Sequence, residues 1–162
     1  MGNRSVSTTV NRSVSWCKSK QELISRCPHQ PGLDDLLAAS LERRAAYYAV
    51  RLLPEAGDRR SAREQILHVF EQLESQAGAP EFKGCAYLAV QIEVNDHSHP
   101  ASRVAHRVKG NLTAFFRAEA ERGGASDPEL LARQLMVVFD GAGARAGIGA
   151  NRLTGLVAPT VA

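Results

Sequence analysis

This sequence predicts an all-α fold. Apolar residues recur at spacings of three and four in several separate segments. Those segments are bounded by residues that start and stop helices, and no apolar/polar alternation runs between hairpin turns.

The first firm helix is expected from Leu33. Leu33, Leu37, Leu41, Ala45, Tyr48 and Leu52 form one stripe, Glu42, Arg43, Arg44 and Arg51 take the other side, and Pro54-Glu-Ala-Gly57 ends it. The next starts at Ser61, an N-cap with Glu64 three residues on, a capping-box spacing. Ile66, Phe70, Leu73 and Ala77 form its buried face, and Gly78-Ala-Pro80 stops it. A nearly all-apolar stretch follows, Glu81 to Glu93, which reads as a central helix lining an interior cavity, with the longer helices wrapped around it. Asn95 to Pro100 is a loop, and Pro100 suits the first turn of a long helix reaching Arg122. Val104, Val108, Leu112, Phe115 and Glu119 mark its stripe, and Gly123-Gly124 stops it. Asp127-Pro128-Glu129 then supplies an N-cap, a proline at the first helical position and an acid near the positive end of the helix dipole.

That last long helix is apolar over more than half its circumference, which predicts burial on two sides, the second against another subunit. Gly141, Gly143, Gly147 and Gly149 weaken it, each by about 1 kcal/mol relative to alanine, and close approach of a partner backbone would compensate. A final short helix within residues 151–162 is expected before Pro159.

Residues 1–32 differ. They repeat Asn-Arg-Ser-Val-Ser and carry Arg4, Arg12, Lys18, Lys20 and Arg26 against Glu22 alone. All the excess of the formal +3 charge therefore lies in this arm, which is expected to be disordered through Val14, with one short helix over Trp16 to Arg26. A basic arm suits non-specific phosphate contact, although a solvated tail is the commoner meaning of such a charge density. The division read from the sequence is thus a basic segment, 1–32, and a helical domain, 33–162.

At 162 residues the chain is long enough for one domain with a real core. Three cysteines without metal-type spacing argue against a disulfide framework and for a reducing, cytoplasmic setting. No apolar run approaches the roughly 18 residues of a membrane span, and the N-terminus is too polar for a secretory leader.

The order of these features resembles the C-terminal, ligand-binding and dimerising domain of the TetR family of transcription regulators. Leu33-Asp-Asp-Leu-Leu-Ala-Ala-Ser-Leu-Glu-Arg-Arg44 is similar to the helix leading out of that family's DNA-binding domain. Phe82-Lys-Gly-Cys-Ala-Tyr-Leu88 resembles the F-x-G-C opening of its central helix. Asp127-Pro-Glu-Leu-Leu-Ala-Arg-Gln-Leu with Phe139-Asp-Gly-Ala142 resembles its first dimerisation helix. The resemblance implies an effector pocket, a homodimer built as a four-helix bundle, and three helices of roughly 45 residues, including a helix-turn-helix, ahead of the linking helix. Only 32 residues precede Leu33, without an Ala-Gly-Val-Ser turn or a Tyr-x-His-Phe element, so the DNA-reading module is expected to be truncated, atypical or replaced.

Two functions remain open on the sequence. One is a TetR-like regulator whose helical domain binds a small apolar or amphipathic effector and dimerises. The other is a ligand-binding or dimerisation module that acts without DNA. The expected pocket residues are Phe70, Tyr87, Gln91, His106, Phe116 and Phe139, apolar walls with a few polar groups to orient a ligand. The expected dimer interface comprises Leu131, Leu135, Val138, Ala142 and Arg145. Asp96-His-Ser-His99, with Glu93 and His106 nearby, reads as a hydrated loop at a helix start, not as a metal site. Cys85 reads as a buried structural thiol, no catalytic constellation or phosphate-binding glycine loop is present, and no cofactor, metal or enzymatic activity is expected.

Overall fold

Helices begin and end in this chain where its punctuation residues stand. The computed structural model describes residues 31–149, which hold five helices and no strand. They are α1 (Pro31–Leu52), α2 (Ala62–Ala77), α3 (Ala86–Val94), α4 (Pro100–Arg122) and α5 (Pro128–Gly147). The expected N-terminal helix and the final one, together with the basic arm through Gln30, lie outside the described residues.

The capping box at α2 is formed from both sides. Ser61 Oγ accepts from the Glu64 amide at 3.3 Å, and the Ser61 amide donates to Glu64 Oε2 at 2.8 Å. Asp127 Oδ1 accepts from the Leu130 amide at 2.9 Å and caps α5. His99 caps α4, its Nδ1 accepting from the Ala101 amide at 3.1 Å. Each cap satisfies a donor that a helix start would otherwise leave open.

The central helix is α4, a correction to the reading of residues 81–93. It packs against all four of the others. The apolar stretch after Gly84 forms only α3, which at nine residues extends about 13 Å and buries Tyr87 alone among its residues. A helix that short cannot be wrapped by neighbours more than twice its length. The 23-residue α4 can, and it buries Ala101, Val104, Ala105, Val108, Leu112, Phe116 and Ala120. Its stripe therefore runs on through Phe116 and Ala120, while Phe115 and Glu119 stand at the edge.

Two clusters fill the interior. In the larger, Phe70 of α2 stacks on Phe116 of α4 at 5.7 Å and meets Phe139 of α5 edge-on at 6.1 Å, with Val69, Leu73, Leu112 and Leu135 around them. Each such aromatic side chain withdrawn from water contributes about 1.5–3 kcal/mol. The smaller cluster joins α1, α3 and α4 through Leu41, Tyr87, Ala101, Val104 and Val108. On α1 the stripe is buried only in its later part. Leu41 and Leu52 are covered, whereas Leu33 is 62% exposed.

Two glycines of α5, Gly143 and Gly147, face the chain's own turn ahead of α3 instead of the expected partner backbone. The Lys83-Gly84-Cys85 turn crosses the end of α5 at Gly143 and Gly147. Gly84 has φ +90°, a conformation L side chains rarely adopt, and its close neighbours are Gly143 and Gly147. Gly141 faces open space.

Candidate functional site

A cleft of about 350 Å3 opens between α1 and α4, within the size range of small-molecule sites. Small side chains create it. Ala45, Ala46 and Ala49 recur along one side of α1, opposite Val108 and Leu112 of α4, and Leu52 closes one end. Polar groups stand at the mouth: Arg107 pairs with Glu42, each about half exposed, and Asn111 lies one turn along α4. A larger opening near the end of α1 is lined mainly by polar and charged residues such as Glu55, Asp58, Arg60 and Gln72. Among the described residues, the α1–α4 cleft combines apolar walls with a polar rim, and a smaller opening is lined by Ala62, Ile66, Ala120, Leu131 and Leu135 with Arg63 and Glu119 beside them.

Tyr48 is the pivotal wall residue. Its ring lines the cleft and meets Tyr87 edge-on at 5.1 Å. Its hydroxyl is buried, with the Cys85 thiol as its polar neighbour. Burial pushes the phenol far above its ordinary range, and the nearby Cys85 and Asp140 add to that shift. Tyr87 in turn donates its hydroxyl to the Leu41 carbonyl at 3.2 Å, and burial raises its phenol too. Beyond this pair, Lys109 is buried on α4, forms an ion pair with Asp140 of α5 and sits 5.1 Å from the Phe139 ring centre. Cleft wall, F-x-G-C turn and α5 are thus joined through one patch of packed polar groups.

The six residues expected in a pocket fall in three places. Phe70, Phe116 and Phe139 pack on one another in the larger core cluster. Tyr87 lies behind Tyr48. Gln91 and His106 meet near the surface, with Gln91 Nε2 3.2 Å from His106 Nδ1. Sequence reasoning passed over Arg107, Asn111 and the alanines of α1. The signal for them was the Ala45, Ala46, Ala49 spacing beside Tyr48, which leaves room where a leucine stripe would have filled it.

The residues expected at a dimer seam divide as well. Leu135 and Ala142 are buried in the chain's own core, while Leu131 and Val138 are half-buried beside them. Arg145 is exposed. The outward face of α5 carries Leu130, Val137, Gly141, Ala144 and Ile148, with Val137 74% and Ile148 79% exposed.

Neither a protein-family model nor a curated protein matches the sequence. One solved structure does: the crystal structure of a candidate TetR-type transcriptional regulator from Streptomyces avermitilis is 62% identical and superposes with a TM-score of 0.78. The match covers 88% of this chain and 76% of that one. The chain belongs to the TetR family. TetR proteins are transcription regulators and not enzymes, which agrees with the absence of a catalytic constellation in the sequence. Among the described residues of this TetR-family chain, no helix is long and apolar enough to cross a membrane. Among those residues no group of three or more His, Cys, Asp or Glu side chains gathers to hold a metal.

Proposed function

We propose that this chain is a transcription regulator that takes a small amphipathic effector between α1 and α4 and works as a homodimer paired through α5. The observation that carries the reading is the cleft, with its apolar walls and Glu42–Arg107–Asn111 rim, in a chain that belongs to a family of regulators. A ligand with an apolar body would lie along Ala45, Ala49 and Leu112, and an acidic or amide group on it would meet Arg107 or Asn111. Occupancy would press on Tyr48 and Val108, and so on the contact between α1 and α4. A ligand shifts a regulator only by its preference for one packing over another, and this contact is where such a preference would act.

The dimer reading rests on the outward face of α5. Leu130, Val137, Gly141, Ala144 and Ile148 fall at helical spacing on a helix whose other face is already buried. An isologous pairing of this face with its copy would bring two α5 helices together.

The test is a gel shift of the full chain on DNA from upstream of its own reading frame, run at two salt concentrations. Sequence-specific retardation is expected, and it should be lost with a compound found by thermal-shift screening. An Ala49→Trp variant, which fills the cleft, should hold the same DNA and ignore that compound. Absence of any sequence-specific retardation would overturn the regulatory reading and leave a module that acts without DNA.

A further inference from the structure

The His-x-His pair of the α3–α4 loop does not act as a pair. His99 is taken into the fold as the cap of α4, with its Nε2 3.1 Å from Asp34 Oδ1. His97 turns instead toward His106, two turns into α4. Its Nδ1 stands 3.0 Å from His106 Nε2, with ring centres 5.2 Å apart and planes inclined at 38°. Both residues are exposed.

We propose that His97 and His106 form a binding site for a divalent first-row transition ion, with Gln91 holding His106 in the ligating state. Three observations support it. The first is the separation of the two nitrogens. Imidazole nitrogens bind such ions at about 2.0–2.1 Å, so two of them at a right angle stand about 2.9 Å apart and two at a tetrahedral angle about 3.3 Å. The 3.0 Å of the hydrogen bond between the two nitrogens falls between these two bites, so the rings need little movement to take an ion.

The second observation is Gln91. A ligating imidazole commonly donates its other N–H to a neighbouring acceptor, which fixes tautomer and ring orientation. Gln91 lies 3.2 Å from His106 Nδ1. The oxygen and nitrogen of its amide occupy equivalent positions, so a half-turn presents Oε1 to that nitrogen. Loading then needs two rearrangements: the half-turn of the amide, and the tautomer of His106 that carries its proton on Nδ1 and donates it to Gln91, which leaves Nε2 free for the ion.

The third is the rigidity of the loop. Asn95 adopts a left-handed turn at φ 47°, Asp96 Oδ1 accepts from the Ser98 amide and hydroxyl at 2.8 Å each, and Arg103 donates to the Ser98 carbonyl. His97 is thus held in place by its neighbours on both sides, as a preorganised ligand must be. No third His, Cys, Asp or Glu joins the pair among the described residues, so water fills the other positions and the ion exchanges readily. A bound ion would tie the α3–α4 loop to α4.

The experiment is calorimetric titration of the full chain, stripped with chelator, with NiCl2 at neutral pH, and circular dichroism to confirm that each variant is folded. One Ni2+ per chain is expected. His97→Ala and His106→Ala should each weaken binding at least tenfold. Gln91→Ala should weaken it about tenfold while Gln91→Glu does not, the range usual for outer-sphere partners. His68→Ala should leave it unchanged. No saturable Ni2+ uptake, or a His97→Ala/His106→Ala double variant that binds as the parent does, would overturn the proposal.

Discussion

Gly84 and Gly147 meet backbone to backbone: a Cβ placed on Gly147 would fall 2.6 Å from the Gly84 Cα and 2.8 Å from its amide nitrogen. No side chain stands in that gap to give way, so the turn ahead of α3 and the last turn of α5 approach this closely because Gly147 carries no Cβ. The F-x-G-C motif owes its glycine to the positive φ of Gly84, since a Cβ there would meet the Gly143 carbonyl and the Gly147 Cα only at 3.4 Å, an ordinary contact. Gly147→Ala should therefore destabilise the fold by about 1–3 kcal/mol through overpacking. Gly110, in the middle of α4 with nothing within 4 Å of an added Cβ, is the control. Gly110→Ala should stabilise by about 0.5–1 kcal/mol. At about 2–4 °C per kcal/mol for a chain of this size, thermal denaturation followed by circular dichroism resolves the two opposite shifts.

The two faces of α5 should separate folding from pairing. Val137 is 74% exposed and Leu135 5%. Val137→Glu should leave the helical signal intact and convert a dimer to a monomer in light scattering at micromolar concentration. Leu135→Ala should cost about 2–5 kcal/mol of stability through the cavity it leaves. A Val137→Glu variant of unchanged mass would rule out this face as the seam.

The Lys109–Asp140 pair ties α4 to α5 from inside. The lysine side chain is 9% exposed and the aspartate 28%, so removing the acid leaves a buried cation without its counter-charge. Asp140→Ala should cost about 3 kcal/mol. Lys109→Met with Asp140→Leu, which removes both charges and keeps much of the volume, should recover a large part of that loss. A double-mutant cycle in urea denaturation reads the coupling, and strictly additive effects would show that the pair does not act as a unit.

How far the sequence reveals this molecule depends on whether a feature is local. Ser61 with Glu64 and Asp127 with Pro128 announce α2 and α5 because a cap involves neighbours in the chain. The family markers around Gly84 and Asp127 were readable for the same reason. Which side of a doubly apolar helix meets its own core was not, since Leu135 and Val137 are equally apolar and only the position of α4 distinguishes them. The cleft was hidden for a related reason. Ala45 and Ala49 look like ordinary helix-forming residues until Val108 and Leu112 stand opposite. His106 was named beside the His97–His99 loop, but spacing alone could not show that it meets His97 while His99 caps α4.

Acid should weaken the corner that leads into α2, and the sign follows from which protonation state the fold prefers. Arg60 donates to Asp58 from both its backbone amide and its guanidinium, at 2.9 Å each, and holds that carboxyl down at about 2. Glu64 is lowered by its hydrogen bonds from the Ser61 hydroxyl and amide. Both groups bind a proton more weakly folded than unfolded. Their contribution is therefore complete above the ordinary carboxylate range and is lost as pH falls from about 4 toward 2. Asp58→Asn removes the larger part of this dependence. Between pH 5 and pH 2 the melting temperature of the parent should fall more steeply than that of the variant, and the gap should narrow in 1 M NaCl because both partners are near the surface. Parallel curves for the two proteins would show that the Asp58–Arg60 contact contributes nothing to the folded state.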